Sequence, residues 1–239
     1  MIVAVVGAQF GSEGKGKISA LLSMYADLCL RSGGPNAGHS FENTKGKIES
    51  VRMLPSGVSS PRPILGIGAG AVLDLDVLLG EIDRFQIQPT RLTIDSQAML
   101  VQPQDLDQEV PLTQSISSTG KGAGAATARR ILGRGRGAEA MLAGKCSKLA
   151  PFIGDVLGLV SAVADRNGVI VAEGTQGFGL SLYHGSYPYV TSRDTTAAAL
   201  CSEIGIPWRL LTEAVLVVRT FPIRVAGPSG PLESEIDWN

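Results

Sequence analysis

Eleven residues near the start of the chain, Gly7-Ala8-Gln9-Phe10-Gly11-Ser12-Glu13-Gly14-Lys15-Gly16-Lys17, hold four glycines and two lysines. Glycine lets a backbone turn tightly and bring its N–H groups up to a ligand. The lysines add positive charge. Together they suit a phosphate group. The spacing Gly11-x-x-x-x-Gly16-Lys17 meets most of the phosphate-loop pattern, although Ile18 stands where a serine or threonine would hold magnesium. Ser12 is the odd member, because a loop that handles magnesium phosphates usually wants a carboxylate close by and a hydroxyl is neutral. Taken alone, the loop fits a phosphate cradle or a structural glycine turn.

Three further stretches carry residues of the same kind. Arg31-Ser32-Gly33-Gly34-Pro35-Asn36-Ala37-Gly38-His39-Ser40 is a second glycine-rich loop, with one of the two histidines. His39 fits a loop histidine bonded to backbone, or a general acid or phosphate ligand, since imidazole carries a proton near neutral pH. Ser117-Ser118-Thr119-Gly120-Lys121-Gly122-Ala123-Gly124 is a third. It reads as a linker, or as a second phosphate site at a helix start. Glu173-Gly174-Thr175-Gln176-Gly177 repeats the opening theme of a buried strand running into a glycine turn.

The elements that must position these loops are strands alternating with helices. Apolar runs predict strands at 2–6, 26–30, 51–54, 64–72, 91–95, 98–101, 169–173 and 214–219. Helical spacing follows Ile18, runs from Leu75 to Phe85 after an Asp74 cap, and recurs over 125–130 and 195–204. Residues 138–167 read as mostly helical with a break near Pro151, and Lys45-Gly46-Lys47 as a hairpin turn. This order predicts one α/β domain over 1–239, with a mostly parallel central sheet flanked by helices and a P-loop-like loop after the first strand.

Composition narrows the function. Lys plus Arg is 21 and Asp plus Glu is 22, so no basic excess points to a nucleic-acid partner. Cys29, Cys146 and Cys201 lack CxxC spacing and read as reduced core residues of a cytoplasmic protein, without structural zinc. No apolar run reaches the roughly 18 residues of a membrane span.

In order along the chain, Gln9–Lys17, Asn36-Ala37-Gly38-His39, Leu54-Pro55-Ser56-Gly57, Ser118–Gly122, Glu173–Gly177 and His184-Gly185-Ser186-Tyr187-Pro188-Tyr189-Val190-Thr191-Ser192 together resemble the adenylosuccinate synthetase family. The resemblance implies a ligase that forms a C–N bond in purine biosynthesis. A nucleoside triphosphate phosphorylates O6 of a purine nucleotide, and aspartate nitrogen then displaces phosphate at C6. It implies that Gly11, Ser12, Glu13, Gly14, Lys15, Gly16 and Lys17 hold the transferred phosphates with Gly38 and His39. It implies catalytic roles for His39 as acid and for Lys15, Ser12 and Gln176, and Mg2+ at the Gly38 carbonyl and Ser12. Asn36, Thr119 and Thr191 match positions that grip the 5′-phosphate, Gln176 one near the purine, and Arg129 an arginine that reaches the neighbouring subunit's nucleotide in a homodimer.

Two departures from the family pattern sharpen the expectation. The family loop carries an aspartate where this chain has Ser12. That aspartate takes the purine N1 proton, and a serine cannot. Serine leaves room for a 2-amino group, and the chain is similar here to a phage branch that converts dGMP to N6-succino-2-amino-2′-deoxyadenylate for 2-aminoadenine DNA. The expected substrates are therefore dGMP and aspartate with ATP, dATP or GTP as donor, in host cytoplasm if phage-encoded. Ordinary synthesis from IMP with GTP is the alternative, and a nucleotide-binding module without ligase activity a second one. The family's aspartate loop and donor-base region are not visible after Pro228.

Overall fold

The computed structural model describes residues 1–43, 45–135, 141–232 and 235. In chain order, β1 (Ile2–Gly7) leads through the first glycine loop to α1 (Lys15–Ser23), followed by β2 (Leu28–Arg31) and the hairpin β3 (His39–Glu42) and β4 (Ile48–Val51). Next come β5 (Ile64–Ile67), β6 (Val72–Leu73), α2 (Leu75–Arg84), β7 (Leu92–Asp95) and β8 (Met99–Leu100). The chain continues through α3 (Pro103–Ile116), α4 (Ala123–Leu132), β9 (Ile153–Gly154) and α5 (Val156–Asp165), and closes with β10 (Ile170–Glu173), α6 (Ala197–Ile204) and β11 (Leu211–Val217).

Seven strands form one sheet in the order β11-β1-β10-β2-β5-β7-β9. Every pairing in it is parallel. β1, β2 and β10 are buried along their whole lengths, as near-continuous apolar runs in a covered parallel sheet must be. One core packs α1, α2 and the β3–β4 hairpin against the sheet, and another packs α5 and α6. The expected α/β fold, with a parallel sheet between helices, is the observed one.

Parallel strands all point the same way, so their C-terminal loops gather at one edge, and ligands of open α/β sheets bind there. Here β11, β1, β10 and β2 are neighbours. The loops that follow them, 218–224, 8–14, 174–177 and 32–38, therefore meet, although they lie far apart in sequence.

Several elements differ from the sequence expectation. The 64–72 strand is two strands, because Gly68–Ala71 turns over α6: Gly70 N–H bonds Glu203 O at 2.8 Å. Of the expected helix over 138–167, residues 138–140 lie outside the described residues, and 143–152 form short 3-10 turns around Pro151. The helix starts only where Asp155 accepts from Gly158 N at 2.8 Å. The 195–204 helix likewise waits for its cap, Thr196 Oγ1, which accepts from Ala199 N. α3 was not anticipated; a Gln102–Asp105 capping box and Pro103 in its first turn start it.

Candidate functional site

A cavity of about 260 Å³ sits where these loops meet. That lies near the lower end of small-molecule sites, roughly 300 Å³. Of the residues singled out in the sequence, Gly11, Ser12, Asn36, Gly38, His39, Thr119, Gln176 and Thr191 line it. Glu13, Gly14, Lys15, Gly16, Lys17 and Arg129 do not.

The first loop is held from inside. Glu13 Oε1 accepts from Gln9 N and Gly11 N, each at 2.9 Å, while Oε2 takes Lys15 Nζ at 2.7 Å. Lys15 Nζ also donates to Gly11 O at 3.0 Å, and the side chain is 1% exposed. Burial alone would raise the Glu13 carboxyl; Lys15 and the loop amides outweigh it and hold it below the usual range. Burial lowers the Lys15 ammonium, with Glu13 opposing. Lys15 is thus a strut inside the loop. Lys17 is exposed in the first turn of α1, whose N-terminus carries no side-chain cap. Gly14 caps that helix at a left-handed φ of 96°, where a side chain would be strained. A Cβ on Gly16 would lie 2.8 Å from the Cβ of His39, so Gly16 is what lets β3 come so close to α1.

His39 opens β3, 5% exposed, and its Nδ1 bonds Glu173 Oε1 at the C-terminal end of β10. Glu173, 1% exposed, also accepts from Ser56 N and Ser56 Oγ at 2.6 Å each and from Arg31 Nη1 at 3.3 Å. Arg31 in turn donates to Ala37 O at 2.6 Å, which fixes the loop carrying Asn36 and Gly38. Burial pushes the Glu173 carboxyl up; His39, Arg31 and Ser56 pull it further down. Burial, with Arg31 adding to it and Glu173 opposing, lowers the His39 imidazole to about 4. His39 is therefore neutral at pH 7, its Nδ1–H given to the carboxylate and Nε2 left with its lone pair. Sequence reasoning quoted Glu173 and Arg31 but assigned them no role. The available signal was a charge closing an otherwise apolar run, Val169-Ile170-Val171-Ala172-Glu173 and Leu28-Cys29-Leu30-Arg31.

Gln176 sits at a left-handed φ of 57° and joins the second loop, its Nε2 donating to Asn36 Oδ1 at 3.2 Å. On the third loop, Glu109 of α3 accepts from Gly122 N at 2.8 Å, Gly124 N at 2.7 Å and Ala125 N at 3.3 Å. The amides that a phosphate would need at the start of α4 are thus taken by a carboxylate. From this loop Ser117, Ser118 and Thr119 line the cavity. Arg129 makes a two-pronged bond to Asp105, 2.9 Å from Nε and 2.7 Å from Nη2, and donates to Leu100 O.

Among the described residues, no group of three or more His, Cys, Asp or Glu side chains could hold a metal ion. Ser12 and Gly38 offer the cavity one hydroxyl and one carbonyl oxygen, both neutral, while both Glu13 oxygens are already bonded. That donor set fits a Mg2+ ion arriving with phosphate oxygens, the usual habit of Mg2+, and not one caged by protein alone.

The profile of the adenylosuccinate synthetase family matches residues 4–146 and 136–238. The adenylosuccinate synthetase of Methanococcus aeolicus is 39% identical over 98% of this chain and 69% of its own length. That of Pyrococcus sp. is 38% identical over 97% and 68%. Among solved structures, cyanophage S-2L succinoaminodeoxyadenylate synthetase (PurZ), bound to dGMP and dATP as an energy donor, superposes with a TM-score of 0.83 at 32% identity, covering 98% of this chain and 69% of that one. Fully ligated adenylosuccinate synthetase from Plasmodium falciparum gives 0.81 at 28% identity, covering 98% and 65%. The chain belongs to the adenylosuccinate synthetase family, whose members are C–N ligases joining aspartate to purine nucleotides. No helix among the described residues is long and apolar enough to cross a membrane.

Proposed function

We propose that this ligase condenses aspartate with dGMP, driven by a nucleoside triphosphate, giving N6-succino-2-amino-2′-deoxyadenylate. The observation that carries the reading is Ser12 on the wall of a cavity otherwise furnished for the family reaction. A carboxylate at that point would crowd the guanine 2-amino group; a hydroxyl leaves room and accepts a hydrogen bond from it. The cyanophage enzyme bound to dGMP and dATP supports the same reading. The 39% identity to the Methanococcus enzyme favours the second reading, adenylosuccinate synthesis from IMP with GTP.

In the first step purine O6 attacks the γ-phosphorus, the bond to the β-phosphate oxygen breaks, and N1 gives up its proton to a water or a phosphate oxygen. In the second, the aspartate amine attacks C6, phosphate leaves with the former O6, and the new nitrogen sheds its surplus proton to the departing phosphate or to water. The first loop and α1 hold the phosphates, with Lys17 as the mobile cation and Lys15 as the strut behind Gly11. Asn36, Thr119 and Thr191 grip the 5′-phosphate, and Gln176 faces the purine. Mg2+, when held by the Gly38 carbonyl, Ser12 and the phosphates, would offset charge on the transferring group. Neutral His39, its Nδ1–H fixed on Glu173, presents the lone pair that accepts a proton; the imidazolium so formed is the acid that O6 and the phosphoryl group meet. The anionic phosphates favour that charged form. Arg129 reaches a second subunit's nucleotide only by leaving Asp105, so the homodimer we propose is coupled to opening of that pair.

The test is a panel of dGMP, GMP and IMP against ATP, dATP and GTP, with aspartate, magnesium and mass detection of product. The expected result is a succinylated product from dGMP. Product from IMP alone would establish the second reading, and nucleotide binding without product from any mixture would leave a binding module.

A further inference from the structure

The segment after β11 straps the first loop. Gln9 and Arg219 exchange two hydrogen bonds of 2.9 Å through the Gln9 amide, and Arg219 Nη1 donates to Ser12 O at 3.1 Å. Five residues on, Arg224 lies with its guanidinium carbon over the Phe10 ring, 4.1 Å from the centroid. Its Nη1 donates to Ser229 O at 2.8 Å. Its Nε is buried without a hydrogen-bond partner among the described residues. Among the described residues lining the cavity, Arg224 is the one with a fixed positive charge.

A guanidinium stacked on an aromatic ring keeps its plane fixed, and a fixed plane presents paired N–H groups to a carboxylate or phosphate. A buried donor without a partner costs free energy unless a ligand satisfies it. We infer that Arg224 is a specificity-determining residue whose guanidinium, on the wall of the cavity, binds an oxyanion of the substrates. The oxyanion is either a carboxylate of the amino acid or the phosphate of the purine nucleotide. The inference rests on the ligase reading of the cavity and assigns that cavity its cation. Phe10 serves as the platform that holds the edge in place.

The experiment compares wild type with Arg224→Gln and Arg224→Lys. Glutamine keeps a planar group over Phe10 without charge, and lysine keeps charge without the paired edge. It reads KM for aspartate and for dGMP, kcat, the dissociation constant of dGMP by calorimetry, and the melting temperature. Loss of one charged hydrogen-bonded contact raises the constant for its ligand by about 10- to 100-fold. A rise in the aspartate KM alone, with dGMP affinity kept, supports Arg224 and assigns a carboxylate. A rise in both the KM and the dissociation constant of dGMP supports it and assigns the phosphate. Lysine recovers only part of either loss. Unchanged constants in an active enzyme overturn the inference and leave the ligase reading standing, as does a lowered melting temperature with lowered kcat and unchanged KM values. If wild type binds dGMP or IMP without turning either over, the ligase reading fails, and calorimetry still decides Arg224 by whether the variants bind that nucleotide more weakly. If wild type binds neither dGMP nor IMP, both readings fall.

Discussion

Two glycine-rich loops open two helices in this chain, and only one of them leaves its helix amides available. The loop at 7–14 runs into α1, whose N-terminus carries no side-chain cap; its own carboxylate, Glu13, is turned back into the loop and neutralised by Lys15. The loop at 117–122 runs into α4, whose first amides are held by Glu109. Both sequences combine glycine, serine and lysine ahead of a helix. A helix N-terminus attracts negative charge from whichever source reaches it first. One helix start has no side chain bonded to it, while the other is bound by a carboxylate that locks α3 against α4.

Breaking the first loop has the largest expected effect. Lys15→Met leaves Glu13 buried and unpaired, and removing one partner of such a pair costs about 3–5 kcal/mol. Chemical denaturation should show a loss of that size together with loss of nucleotide binding. Lys17→Met on the same helix should leave stability within about 0.5 kcal/mol. A K15M variant as stable as wild type would mean that Lys15 is no strut.

Stability against pH tests the group beside the first loop. Unfolded, His39 takes its proton near pH 6.5; folded, it does so only at about 4. Between those values the unfolded chain binds the extra proton, so the stabilisation is whole above pH 6.5 and is lost as pH falls toward 4. At about 1.4 kcal/mol per pH unit the loss reaches about 3 kcal/mol. Denaturation midpoints of wild type and His39→Asn across this range should diverge, the variant showing the flatter profile. Below about pH 4.5 the lowered Glu13 carboxyl adds a decline common to both proteins.

The third loop carries a smaller prediction. Glu109→Ala removes the carboxylate that caps three amides at the start of α4, for a cost of about 1–2 kcal/mol. Thermal unfolding should show it, and the variant should keep its affinity for nucleoside triphosphate. A matching loss of triphosphate affinity would mean that the two loops act as one site.

Much of the fold was legible because β1, β2 and β10 are buried on both faces and so read as plain apolar runs. The second, third and Glu173–Gly177 loops were likewise recognisable from glycine with polar neighbours. Partnership was not legible. Glu173 meets Ser56 and His39 across separations of 117 and 134 residues, set by strand order and by no local spacing. Glu109 sits inside α3, and nothing near it in sequence says that its carboxylate turns to the start of α4. Arg224 lies in irregular chain with no local pattern around it, and it is the pairing of β11 with β1 that brings this segment over Phe10.

The central claim is that Ser12 sets the purine. It is tested by offering dGMP and IMP together to wild type and to Ser12→Asp, and measuring the ratio of kcat/KM for the two from the masses of their succinylated products. Wild type is expected to favour dGMP, and the aspartate variant to shift the ratio toward IMP by about 10- to 100-fold, the worth of one crowded or unpaired polar group. A wild type that favours IMP, or a ratio that Ser12→Asp leaves unchanged, would contradict it.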